Sequence, residues 1–249
     1  MSTSQNQDSR QVIFITGAAR GIGRAIAERM LAEGHLLALN DIDREALCDT
    51  IDALQAPDSS IIDLGGDVSR PEAGEAMAAK TIQHFGRIDS LVNNAGIGGT
   101  GKFILELDIE EWNEMLRVDL TSTFLLCKAV LPAMISQGRG RIVNIASITA
   151  MMGVAGSTHY AAAKAGVIGF SKSLAREVAD KRINVNVVAP GLIDTDMARK
   201  RGIDHQRHFV AWPRIGEPDD IAGVVAFLLS DQAEFITGQV ISPNGGAYM

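Results

Sequence analysis

The chain has 249 residues, 46% of them hydrophobic and 21% charged, with a net charge of −7 and an isoelectric point near 5.2. That length and composition fit one α/β domain, or at most two small ones, able to bury a sizeable core. The acidic balance argues against a general binder of nucleic acid or of anionic membrane, and the basic clusters at Arg139 with Arg141 and at Arg199 to Arg201 read as solvated faces.

Cys48 and Cys127 stand apart, with no CxxC pair and no histidine at ligand spacing. Two isolated thiols suit a reducing, cytoplasmic compartment. The five histidines (His35, His84, His159, His205, His208) form no metal signature. No apolar run reaches the length expected of a bilayer span. Residues 1–10 are polar and lack the apolar segment of a signal peptide. They read as a flexible tail, followed by a single domain over residues 11–249 without a linker.

In chain order, Val12 to Thr16 is a short β-rich run. A helical stretch follows from Gly21 to Glu33, with Ile22, Ile26 and Met30 on one face and Gly34 as its stop. Leu36 to Asn40 predicts a second strand, Arg44 to Gln55 a helix, and Ile61 with Ile62 a third strand leading to Asp67. Pro71 suits a first helical position, and that helix extends to about Phe85. Ile88 to Val92 predicts the fourth strand, Asp108 to Ser136 a long helix, and Arg141 to Ala146 the fifth strand. A helix over Thr158 to Asp180, a strand over Ile183 to Val188, a helix over Asp219 to Leu229 and a strand over Gly238 to Ser242 complete the series. The strands are continuous apolar runs, which means burial on both faces. Strand and helix alternating at this pitch predict a single doubly wound, Rossmann-type domain of about seven parallel strands with helices on both faces.

Three glycines, Gly17, Gly21 and Gly23, follow the first strand and open the first helix. Glycine there permits a tight turn and close backbone approach to a pyrophosphate, at a helix N-terminus with free N–H groups. Arg20 and Ile22 lie in the same loop. Asp41 ends the second strand, 18 residues after Gly23, where a carboxylate can accept from an adenosine ribose. Asp67, beside Val68, can accept from an adenine amine or cap the next turn. Tyr160 and Lys164 are four apart on a helix and share a face. Ser147 follows a strand 13 residues before Tyr160. A phenol of pKa ~10 is a weak base at neutral pH, and a nearby ammonium favours its phenolate. Tyr160 can then move a proton while Ser147 polarises the substrate oxygen.

Taken together, the glycine loop, Asn93, Asn94, Ala95 and Gly96, Ser147, Tyr160 with Lys164, Pro190 with Gly191, and Gly245 with Gly246 resemble the short-chain dehydrogenase/reductase family over residues 11 to 247. The resemblance implies a nicotinamide cofactor, with Asn94, Ala95, Gly96, Pro190, Gly191, Ile193 and Thr195 adding to its site. It also implies that Lys164 binds the nicotinamide ribose, that a lid spans Thr195 to Ile215, and that the chain is a homotetramer. One position departs. The family usually has Asn where this chain has Asp119, so Asp119 is expected in the proton relay behind Lys164, with an acceptor-only side chain when ionised. Ile97, Ile148, Met152, Val154, His159, Met197 and Trp212 are the expected lining of a largely apolar substrate pocket.

These features point to hydride transfer between a secondary alcohol or ketone and NAD. Asp41 favours NAD, and Arg20 favours the alternative of NADP and a 3-oxoacyl-carrier-protein reductase. A silent nucleotide-binding regulatory module is the reading of a different class. Ser147, Tyr160 and Lys164 together argue against it.

Overall fold

Val12–Thr16 (β1) is buried at every position, and its side chains part to opposite faces: Ile13 and Ile15 enter one apolar cluster, Phe14 the other. The same division recurs in Leu36–Asn40 (β2), Ile61–Asp63 (β3), Ser90–Asn93 (β4), Gly140–Ile145 (β5), Ile183–Val188 (β6) and Val240–Ile241 (β7). All pairings are parallel, in the order β3-β2-β1-β4-β5-β6-β7. The chain winds outward from β1 in one direction and then, from β4, in the other. The carboxyl ends of β1 and β4 therefore flank the point where an open α/β sheet forms a crevice. This computed structural model describes residues 10–200, 202–203 and 207–249.

Gly21–Ala32 (α1) buries Ile26 and Met30 on one sheet face beside Arg44–Ala53 (α2). Ala73–Phe85 (α3) packs on the other. The sequence placed the start of α3 at Pro71, but Asp67, Ser69 and Arg70 form a hydrogen-bonded turn that delays the helix to Ala73. Residues 1–9, most of the expected tail, lie outside the described residues. Arg10 donates to the Gly34 carbonyl at 2.8 Å and to the Ser60 hydroxyl at 3.1 Å.

The expected long helix is composite. Ile109–Leu116 (α4) opens with a reciprocal Asp108–Glu111 capping box, a π-turn covers Arg117–Thr121, and Ser122–Gln137 (α5) continues it. Within the π-turn the Ser122 N–H bonds the Arg117 carbonyl five residues back. The whole 29-residue helix is long and apolar enough to cross a membrane, contrary to the sequence expectation. In the fold, Leu126, Cys127, Val130 and Met134 pack on the sheet instead. Burial pushes the Cys127 thiol up to about 12, so it stays protonated. The short helices Thr149–Met152 (α6) and Asp196–Lys200 (α8) were not expected, since four or five residues are too few to show a helical period. Thr158–Val178 (α7) and Pro218–Leu229 (α9) lie where expected.

At the amino edge of the sheet, away from the crevice, Asp89 is 6% exposed. It accepts from the Val12 amide at 2.8 Å and from Arg87 at 2.7 Å. Asp89→Ala leaves that buried amide without an acceptor, a cost of about 1–3 kcal/mol. The thermal midpoint should fall by roughly 2–10 °C, read by calorimetry. An unchanged midpoint would show that the carboxylate does not hold β1 in place.

Candidate active site

A cleft of about 1050 Å³ opens over the carboxyl ends of the central strands. Its floor is the glycine loop. Gly17 and Gly21 have φ of +64° and +54°, a region that disfavours a side chain. A Cβ on Gly23 would sit 2.0 Å from the Gly17 carbonyl oxygen. Arg20 precedes α1 without a side-chain bond to its first turn, so the amides there remain for an anion. A dinucleotide's diphosphate fits this cradle, because side chains are excluded where it must approach. Across the β1–β4 junction, the Asn94 and Ala95 amides both donate to the Thr16 hydroxyl at 3.0 Å. The Asn94 side-chain amide donates to the Thr16 and Gly17 carbonyls, also at 3.0 Å.

The two acidic residues expected at the adenosine end have different surroundings. Asp41 accepts from the Ala19 and Asp43 amides at 3.0 Å. Arg20 pairs with Asp43 rather than turning to Asp41. Asp67 accepts from the Ser69 amide at 2.9 Å and pairs with Arg117 at 3.3 Å. Burial raises the Asp67 carboxyl, but bonds from Ser69 and Arg117 outweigh it and hold it below the usual range. Of the two roles open to it from sequence, it visibly caps the turn while also lining the cleft.

Tyr160 and Lys164 project from α7 into the same cleft, with the Lys164 ammonium 5.8 Å from the Tyr160 ring centre. Lys164 is 5% exposed and donates to the Ile145 carbonyl at 3.2 Å. Asp119, in the π-turn and 1% exposed, lies 3.1 Å from its Nζ. The other Asp119 oxygen accepts from the Ile97 amide at 2.8 Å. Burial works to lower the Lys164 pKa, but the charges of Asp119 and Tyr160 outweigh it and raise it. Gly96 lets the chain pass this pair, since a Cβ there would lie 2.9 Å from Asp119 Oδ2. Ser147, after β5, accepts from the Thr149 amide at 3.1 Å, and its hydroxyl hydrogen remains for a substrate oxygen. Behind the site, Asn93 donates to Asn144 and Asn144 to Ser171 of α7, each at 2.8 Å.

Every site residue expected from the sequence lines this cleft except Gly23, His159 and Trp212. Gly23 packs behind the loop against Gly17. His159 is fully buried, and its Nε2 accepts from the Thr100 amide at 3.4 Å. One residue before Tyr160 on a helix, it points about 100° away from the shared face. Trp212 is tied by its amide to the Gly245 carbonyl at 2.8 Å, outside the cleft. Phe209, in the same segment, lines the cleft in its place. Ile42, not expected from the sequence, lines the cleft beside Asp41 and is 71% exposed.

Residues 17–248 match the family model described as Enoyl-(Acyl carrier protein) reductase. The chain is 44% identical over 245 residues to the 3-oxoacyl-(acyl-carrier-protein) reductase FabG of Escherichia coli, covering 96% of this chain and 98% of that one. It is 39% identical over 241 residues to the 3-oxoacyl-(acyl-carrier-protein) reductase of Synechocystis, covering 96% and 97%. Among solved structures, levodione reductase superposes with a TM-score of 0.91 at 36% identity, covering 95% of this chain and 96% of that one. A short-chain dehydrogenase/reductase from Brucella melitensis, described as glucose/ribitol dehydrogenase, superposes at 0.90 and 37%, covering 96% and 97%. With the glycine cradle, the Tyr160–Lys164 face and this similarity over nearly its whole length, the chain belongs to the short-chain dehydrogenase/reductase family of oxidoreductases.

Proposed function

We propose that the chain interconverts a secondary alcohol and a ketone with NAD as its preferred cofactor. The observation that carries this reading is the Lys164 ammonium, held charged by Asp119 beside Tyr160 in the cleft. A nicotinamide cofactor, when bound, supplies the hydride acceptor or donor. Tyr160 takes the hydroxyl proton of an alcohol, or returns it to a ketone oxygen. The Lys164 ammonium lies beside the Tyr160 ring, and Ser147 donates to the substrate oxygen as negative charge develops there. Ile97, Ile148, Met152, Val154, Met197 and Phe209 give the substrate end an apolar lining that excludes water.

Two observations favour a 3-oxoacyl thioester as substrate and NADP as cofactor: the 44% identity to FabG of Escherichia coli, and Arg20 at the ribose end. Against NADP stands Asp41, where a 2′-phosphate would meet a carboxylate anchored by two amides. The exposed Phe124 of α5, edge-on to Phe170 of α7 at 6.4 Å, supports a homotetramer built partly on these helices. Light scattering on the purified chain tests it, and a monomer at micromolar concentration excludes it. The acidic charge and lone thiols support a cytoplasmic setting, which fractionation of the source cells can check.

Tyr160→Phe should retain the fold and nucleotide affinity but lose ~10²–10⁴-fold in kcat. Retention of more than about a tenth of wild-type kcat rules out the general acid–base role, since loss of such a group costs ~10²-fold or more. Wild-type kcat/KM should favour NAD over NADP by roughly 10²-fold, equivalent to ~2.7 kcal/mol. A panel of secondary alcohols and 3-oxoacyl thioesters assayed with both cofactors decides between the two substrate readings.

Asp119→Asn removes the charge that offsets the burial of Lys164. The lysine pKa, raised in the wild type, should then fall, and its ammonium should be lost sooner as pH increases. The alkaline limb of the pH–rate profile should move to lower pH, with substantial activity left at neutral pH. A profile superimposable on wild type would mean that Asp119 does not act on the lysine.

A further inference from the structure

Arg20 is the cation at the ribose end of the cleft that a 2′-phosphate would recruit, and its guanidinium is engaged by Asp43. Asp43 divides its two oxygens. Oδ1 caps α2 by accepting from the Ala46 amide at 3.2 Å, and Oδ2 pairs with Arg20. The Ala46 amide and Arg20 hold the Asp43 carboxyl below the usual range, so it is ionised at neutral pH. Asp43 in turn donates its own amide to Asp41 at 3.0 Å, which sets the two carboxylates side by side along one turn. All three residues line the cleft.

From this arrangement we infer that Asp43 is a second determinant of cofactor choice, acting by competition: it holds the Arg20 guanidinium that a 2′-phosphate needs. The inference deepens the NAD reading and rests on it. Asp41 discriminates by direct repulsion and Asp43 by occupying the only compensating cation of the glycine loop. Both partners are half-exposed, at 52% and 46% of their side-chain area. Water therefore screens the pair, and its effect is several-fold rather than a hundredfold. It should also weaken with ionic strength.

Asp43→Asn removes the charge and keeps an oxygen able to cap α2. Asp43→Ser, a second neutral cap, guards against an effect peculiar to asparagine. The dissociation constants of NADPH and NADH are read from nucleotide fluorescence on the full chain. The proteins are wild type, Asp43→Asn, Asp43→Ser, Arg20→Gln and the Asp43→Asn, Arg20→Gln double variant. Both Asp43 variants should move the NADH-to-NADPH ratio toward NADPH about three- to fivefold. The gain should vanish in the Arg20→Gln background and shrink in high salt. An unchanged ratio in both Asp43 variants overturns the inference. So does an equal gain without Arg20, since Asp43 would then act only as one more negative charge. A wild type that binds NADPH more tightly than NADH overturns the NAD reading instead, because the cycle still reports whether Asp43 acts through Arg20.

Discussion

An ammonium as buried as that of Lys164 is costly unless an opposite charge offsets its burial, since an isolated buried ion costs several kcal/mol. Asp119 meets that requirement at 3.1 Å, and the demand spreads outward from it. The carboxylate's second oxygen needs a donor, which fixes the Ile97 amide and the loop after β4. The backbone entering that loop must pass without a side chain, which requires Gly96. The helix bearing Asp119 opens into a π-turn at that level. A helix, a loop and the end of a strand are thus positioned by one pair of charges.

At the other end of the cleft charge is arranged differently. There the groups are half-exposed and individually weak, and water screens them. What gives Asp41 its hold is position: two backbone amides fix it at the end of β2, so it cannot swing aside as a long cationic side chain can. The 44% identity to FabG of Escherichia coli is a property of the whole chain, whereas the acidity of this turn is local to residues 41 and 43.

Most of the architecture was legible because the strands announce their burial. Runs such as Val12 to Thr16 and Ile183 to Val188 have no polar face, and only a sheet covered on both sides accommodates them. The cleft was legible for a related reason: glycines at strand–helix junctions and a Tyr–Lys pair at four-residue spacing imply geometry directly. The π-turn was not, since no glycine or proline marks it. Its one trace is an aspartate inside an apolar helix. Arg20's choice of Asp43 over Asp41 depends on the curl of the chain after β2, which spacing does not encode. His159 and Trp212 failed as pocket residues because nearness in sequence to Tyr160, or to the lid, says nothing of which way a side chain turns.

The Thr16 hydroxyl and the Asn94 amide stitch the glycine loop to the segment that runs past the lysine. Four hydrogen bonds across the first and fourth strands make these two stretches one body, although some 78 residues separate them in sequence. A nucleotide gripped at its diphosphate therefore meets a proton-handling end already at its working distance. Between these two stretches little conformational entropy remains to be lost on binding, which favours affinity. The same stitching means that the two ends cannot adapt separately.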